Sequence, residues 1–416
     1  MATGMARDTS IDLSGTTHAV DGTAVMELLP ARPRILALGE PVHGEPALLD
    51  VRNALFRQLV EEEGYRTIAI ESDCLAGLRV DDHVTSGAGT LGEVMAHGFS
   101  HTWFNASEAN RELVGWMREF NEDRPPSARV RFAGFDGPLE MTAAESPRRA
   151  LTALHAHLAA RVDATLLPCT EERLDQLLGA DERWTDPAAM RDPARSVGGS
   201  EAVRELRLLA DELVTLLGVQ VPDPGGADGA DEWDRARLYG RTAVGLLRYH
   251  FRMADPAPGR IGRLAGLRGR MMAENLLALA ERGPVLVSAN NSHLQRRRST
   301  MQMGDLSLEW WGAGALVDAR LGERYAYLAT ALGTLPHHGV ETPPPDTVEG
   351  LLYALAEDGC LLAEAPRLAA ASGGPAPAAR VSPYYGYAPL DPAQLADIDG
   401  VVFVRDAREL PPRRRR

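Results

Sequence analysis

Short runs of apolar and β-branched residues recur along this chain, and each gives way to polar residues or glycine. Arg34-Ile35-Leu36-Ala37 runs into Leu38-Gly39-Glu40-Pro41-Val42-His43-Gly44-Glu45. Thr67-Ile68-Ala69-Ile70 ends at Glu71-Ser72-Asp73. Val130-Arg131-Phe132-Ala133 ends at Gly134-Phe135-Asp136. Pro284-Val285-Leu286-Val287 ends at Ser288-Ala289-Asn290-Asn291-Ser292-His293. Tyr325-Ala326-Tyr327-Leu328 leads through Leu332-Gly333 to His337-His338, and Val401-Val402-Phe403-Val404 lies near the C-terminus. Segments with helical spacing, such as Pro46 to Glu63, separate most of these runs. Unbroken apolar strands alternating with helices predict an α/β fold with a mostly parallel sheet covered on both faces.

The stretch 141–281 departs from this alternation. Its pattern is helical, for example from Ser200 to Leu217 and from Trp233 to Met253, interrupted by the proline- and glycine-rich loop 221–228. It reads as a helical subdomain inserted between two strands. The expected organisation is therefore a first part of the core over 1–140, the helical insertion over 141–281, and the rest of the core over 282–416. The Ala/Pro/Gly-rich segment 365–379 reads as a flexible surface loop. No internal repeat is visible.

At 416 residues the chain can bury a large core. Acidic residues outnumber basic ones 58 to 44, a net charge of -14. No basic surplus exists to neutralise phosphates, so nucleic acid is not expected as a partner. There is no lysine, which excludes Schiff-base and lysine-nucleophile chemistry. Cys74, Cys169 and Cys360 form neither a CxxC pair nor zinc spacing, and their sparse, odd number fits a reducing cytoplasm. No signal peptide is read between Met1 and Ser14, and no run reaches membrane-span length. The cluster Arg413 to Arg416 reads as a solvated tail. Oligomeric state is not legible.

Ionisable residues collect directly after the predicted strands: Glu40, His43, Glu71, Asp73, Asp136 and His293. In a parallel sheet the strand ends share one edge, where ligands bind in open α/β folds. Histidine carries a proton near neutral pH, and a carboxylate beside it can orient it. Gly39 and Gly44 permit sharp turns and close approach. Arg52 shares a helical stripe with Leu48, Leu55 and Leu59. A core-facing guanidinium is costly without a carboxylate partner, so Arg52 either snorkels or reaches the strand-end carboxylates or an oxyanion beside them. His97, His101 and Trp103 lie in a turn-like stretch able to line a pocket, His101 and Trp103 being candidates to touch substrate. His155 and His157 read as surface residues, and Met271-Met272 as core filling. Ser72 and Ser288 lie in no G-x-S-x-G elbow, so a serine hydrolase lacks its motif.

In this order the motifs resemble the erythromycin esterase family. The G-E-x-x-H-G turn is Gly39 to Gly44, the following arginine is Arg52, and the E-x-D turn is Glu71 to Asp73. The W-x-N-x-E-x-N-like stretch resembles Trp103-Phe104-Asn105 with Glu108-Ala109-Asn110. Gly134-Phe135-Asp136, the helix from Arg268 to Asn275 and the strand from Ile398 to Arg405 complete the set. The resemblance implies a three-layer α/β/α core with a helical subdomain. It also implies metal-independent, cofactor-free ester hydrolysis, with His43 as the base that activates water and Glu40, Arg52 and Glu71 in support. Where the family reads H-N-x-H, this chain reads Asn290-Asn291-Ser292-His293. The family's R-D-x-x-M is Arg268-Gly269-Arg270-Met271 here.

The first reading is thus a hydrolase of an ester or lactone in a macrolide-like or other secondary metabolite. His43 takes the proton, Arg52 and His293 face the oxyanion, and Glu71 holds the imidazole in its useful tautomer. Asp73, His101, Trp103, Asp136 and Asn290 are candidates for substrate binding. An antibiotic-resistance role follows if the substrate is a macrolide. A second reading is a biosynthetic tailoring enzyme using the same site for acyl transfer, cyclisation or elimination. A third is a small-molecule binding protein without turnover. A metal enzyme with Glu40, His43, Glu71 and His293 as ligands is chemically legitimate but runs against the resemblance.

Overall fold

The computed structural model describes residues 17–101, 107–140, 143–220, 227–356, 359–371, 377–382 and 384–407. Among the described residues twelve strands run in chain order: β1 (Thr17–His18), β2 (Ile35–Glu40), β3 (Thr67–Asp73), β4 (Arg131–Asp136), β5 (Leu139–Glu140), β6 (Ala143–Ala144), β7 (Val285–Asn290), β8 (Ser299–Met303), β9 (Leu306–Trp310), β10 (Tyr325–Thr334), β11 (Cys360–Glu364) and β12 (Gly400–Asp406). Eight build one sheet in the order β1-β11-β12-β10-β2-β7-β3-β4. The six strands from β12 to β4 are mutually parallel. β11 and β1 add an antiparallel margin. The pairs β5–β6 and β8–β9 stand apart.

The sheet is the middle of three layers. Every residue of β2 is buried, as expected for a strand covered on both sides. Its alternation divides the core: Ile35 and Ala37 pack with Met272 and Leu276 on one face, while Leu36 and Leu38 pack with Leu55 and Leu59 on the other. Between β4 and β7 the chain passes through the helices Arg148–Ala159, Glu171–Leu178, Glu201–Val219, Ala227–Met253 and Arg260–Arg282. Side chains of the first four form a further cluster with Cys74 and Leu75.

Several local expectations change. Residues 365–371 form a helix, anchored by buried Ala365 and Leu368, where a loop was expected. His155 is buried rather than superficial, with its Nε2 3.0 Å from the carbonyl of Cys169. The segment 221–226 and both chain ends lie outside the described residues. Among those described, no helix is long and apolar enough to cross a membrane.

The register sets the strand ends. Glu40 is level with Asn290 across β2 and β7, and Asp73 with Asp136 across β3 and β4, after an irregularity following Ile70. Gly39 lets β2 and β7 close at this level. A β-carbon there would fall 1.9 Å from Oδ1 of Asn291. The buried Asn291 amide in turn donates to the Thr330 carbonyl at 2.9 Å and accepts from the Tyr327 hydroxyl at 3.2 Å. Asn291 thereby keys β7 to β2 and β10. Gly39→Ala should displace this amide and lower stability by about 1–3 kcal/mol, the usual scale of overpacking. Urea unfolding of the variant beside wild type checks this.

Candidate active site

β2 delivers Glu40 to the carboxyl edge, and the chain turns over Gly44, whose φ of 72° is left-handed, before the helix Pro46–Glu62. The turn folds His43 back, with Nδ1 2.7 Å from Glu40 Oε1. Nδ1–H donating to this carboxylate leaves the lone pair of the neutral ring on Nε2. Burial alone disfavours the imidazolium, but the charge of Glu71 and the contact with Glu40 outweigh it and raise the pKa of His43 to about 9.

Glu71 is the hub of the edge. Its Oε1 lies 3.2 Å from His293 Nε2 and accepts from Arg268 at 3.2 Å. Its Oε2 accepts the backbone N–H of Asn290 at 3.0 Å. Burial opposes the carboxylate form, yet His293, His43 and Arg268 hold Glu71 well below the ordinary glutamate range. Arg268 also grips Asp136 with two nitrogens, at 2.9 and 2.6 Å. Burial works against both charges of that pair, and their attraction overcomes it: Asp136 is held low and Arg268 high. His101 extends the chain of contacts, with Nδ1 2.8 Å from Glu140 and Nε2 3.7 Å from Asp136. Burial works against its charged form, but Asp136 and Glu140 raise its pKa. Its φ of 51° is the one positive value at a non-glycine position among the described residues.

Glu40, His43, Glu71, Asp136, His101, Asn290 and His293 therefore meet at one edge. Some expected roles are redistributed. Glu40 makes a hydrogen bond to the His43 ring, while Glu71 acts on His43 through its charge and pairs with His293. Asp73 caps the helix Cys74–Ser86 by accepting from Leu75 N at 2.6 Å. The Asn290 side chain accepts from Ser292 N at 3.0 Å. Arg52 is buried, and its hydrogen bonds go to the amide oxygens of Asn53 and Asn110, at 2.7 and 2.6 Å from one terminal nitrogen. Burial lowers its pKa to about 10, against the attraction of Glu40 and Asp50, so it stays charged at neutral pH. Arg52, Glu40, Glu71 and Ser288 share the wall of a cavity of about 10 Å³, the size of one water molecule. Trp103 lies outside the described residues.

Arg268 was noted only as part of a motif, although Arg268, Met272 and Asn275 recur at i, i+4 and i+7 and share one helix face. Asn275 on that face donates to the Phe135 carbonyl at 3.1 Å, which ties the helix to β4 beside Asp136. Glu45, just past Gly44, is 3.1 Å from His337 Nε2, a contact that no local pattern marks. Among the described residues no group of three or more histidine, cysteine or carboxylate side chains is arranged to hold a metal ion.

The family model for erythromycin esterase matches residues 60–406. The chain belongs to the erythromycin esterase family. The match begins after the Gly39–Gly44 turn and Arg52, so those residues rest on the sequence pattern and the geometry above. Solved structures share the fold. A Bacillus cereus protein matches with a TM-score of 0.69 at 16% identity, over 93% of each chain. A succinoglycan biosynthesis protein matches with 0.69 at 15% identity, over 97% of this chain and 98% of its own. A mutant of the erythromycin esterase EreC in its open conformation matches with 0.61 at 18% identity, over 92% of each chain.

Within this esterase-family edge, Arg268 is the cation that two buried carboxylates share. Arg268→Met should strand Glu71 and Asp136 and cost roughly 3–5 kcal/mol of stability near neutral pH. The loss should shrink on acidification, as the carboxylates take up protons. Chemical denaturation at two pH values measures both effects.

Proposed function

We propose that this chain hydrolyses a carboxylic ester or lactone of a small molecule, with His43 as the general base. The observation that carries the reading is the His43–Glu40 pair facing the field of Glu71, which itself holds His293. In the proposed step, neutral His43 takes a proton from water and the resulting hydroxide attacks the carbonyl carbon. Arg52 and His293 are the groups assigned to the oxyanion. As the tetrahedral species collapses, the carbon–oxygen bond to the alcohol breaks, and the His43 imidazolium returns its proton to the leaving oxygen. A pKa near 9 suits this second half, because the group is a ready acid once charged.

Water is the nucleophile in this reading, and neither Ser72 nor Cys74 is activated to replace it. Ser72 is buried and held by Ser100, whose backbone N–H donates to it at 2.9 Å. Burial pushes the Cys74 thiol up to about 12. Asn290 favours a second use of the same site, in acyl transfer or elimination, because an amide holds an oxygen but relays no proton in this pH range. Isotopically labelled water separates the two uses: hydrolysis places its oxygen in the carboxylate product, and transfer or elimination does not.

The base must be neutral to act, and below a pKa near 9 the resting His43 is mostly protonated. kcat/KM on p-nitrophenyl acetate should therefore rise about tenfold per pH unit through neutrality and level off near 9. His43→Ala should abolish turnover with the circular dichroism spectrum retained. A flat profile, or full activity in the His43 variant, contradicts the mechanism. Wild type should open a macrolide lactone poorly, and Asn290→His should shift activity toward simple ester hydrolysis. Assays of both proteins on a macrolide and on p-nitrophenyl acetate compare them.

A further inference from the structure

A cavity of about 660 Å³ lies apart from the histidine edge, within the range of small-molecule sites. Its walls come from the helix Cys74–Ser86, the edge strand β4 and the helices Glu201–Val219, Ala227–Met253 and Arg260–Arg282. None of Glu40, His43, Glu71, Asp136, Arg268 or His293 lines it. It extends from Thr67 and Arg131, the first residues of β3 and β4, along β4 to Gly134 and to Cys74, which follows β3.

The charges in its wall are matched unevenly. Asp81 and Asp231 pair with Arg131 at 2.6 and 2.7 Å, Asp234 with Arg282 at 3.4 Å, and Glu274 with Arg270 at 2.7 Å. Among the described residues, the partner of the Arg241 side chain is an amide, its Nε donating to Asn275 Oδ1 at 3.3 Å. Burial holds its guanidinium below its usual pKa, and Cys74, Asp234 and Glu274 offset this only in part. A guanidinium in that position gains from any anion brought to it. Arg237, one helical turn before it, lines the same cavity from the exposed side. Leu217, Leu238, Val244 and Leu277 supply apolar wall around the two. A cation backed by a neutral amide, set among aliphatic side chains, is the chemistry of a site for an acid with an apolar body.

We propose that this cavity is a second binding site that takes an amphipathic organic anion, with its carboxylate or phosphate head on Arg241 and its apolar body among Leu217, Leu238, Val244 and Leu277. The site is independent of turnover at His43. Isothermal titration calorimetry of the full chain with octanoate, octyl phosphate and neutral octanamide tests it. Octanoate or octyl phosphate should bind at one site, and the tighter of the two names the head group. Octanamide should bind at least about tenfold more weakly, as loss of a charge-assisted contact implies. Arg241→Met should weaken anion binding by a similar factor, and Val244→Trp should abolish it by filling the cavity. His43→Ala should bind as wild type does. Should Arg241→Met fail to fold, Val244→Trp and the exposed Arg237→Met carry the test, the latter weakening anions but not octanamide. Equal binding of octanoate and octanamide overturns the proposal, as does undiminished binding in folded Arg241→Met or no anion binding at millimolar concentration. Loss of anion binding in His43→Ala with retention in Arg241→Met places the ligand at the histidine edge and also refutes the proposal.

Discussion

The buried carboxylate of Glu71 is the contact on which the arrangement of this edge depends. An isolated carboxylate at that depth would take up a proton rather than stay charged. Here it stays charged because β7 offers a backbone N–H, the turn after β7 offers His293, and the helix Arg260–Arg282 offers Arg268. Two pieces of chain, β7 with the turn that follows it and the helix Arg260–Arg282, thus converge on one anion. Its field also keeps the His43 imidazolium favourable on the turn after β2, across the intervening β7. The long helices between β4 and β7 contribute through the same group, since Arg268 spans Glu71 and Asp136 at once.

How much of this is legible in the sequence depends on distance along the chain. The strand ends are legible, because an apolar run breaking into acid or histidine marks both a strand and the edge at which it stops. Glu40 and His43, three residues apart, are legible as a pair for the same reason. Arg268 is not, because it stands 197 residues from Glu71 and nothing local marks a helical arginine as turned inward. Arg52 is legible as buried from its stripe, but its amide partners are not. Asn110 lies 58 residues on, and a burial argument looks for carboxylates first. His155 fails in the opposite direction: a polar residue in a helical pattern reads as surface unless the carbonyl that receives it is known.

The site also shows why roles are harder to read than positions. Either Glu40 or Glu71 can in principle orient His43, and composition does not choose between them. The turn over Gly44 folds the ring onto Glu40 and leaves it in the field of Glu71, and the level of β7 brings His293 to Glu71. Both depend on backbone geometry.

Asn290 and Asn291 divide two tasks between adjacent residues. At position 290 the group that reaches Glu71 is the main-chain N–H, which nineteen of the twenty amino acids possess. At position 291 the side chain itself is wedged against Gly39 and bonded to β10. At 290 the scaffold needs the main chain for Glu71 and the side chain only to cap the short turn at Ser292 N, whereas at 291 it is intolerant. Position 290 is a slot beside His293 and Glu71 where a change of side chain alters the groups at the edge without loosening the strands that carry it.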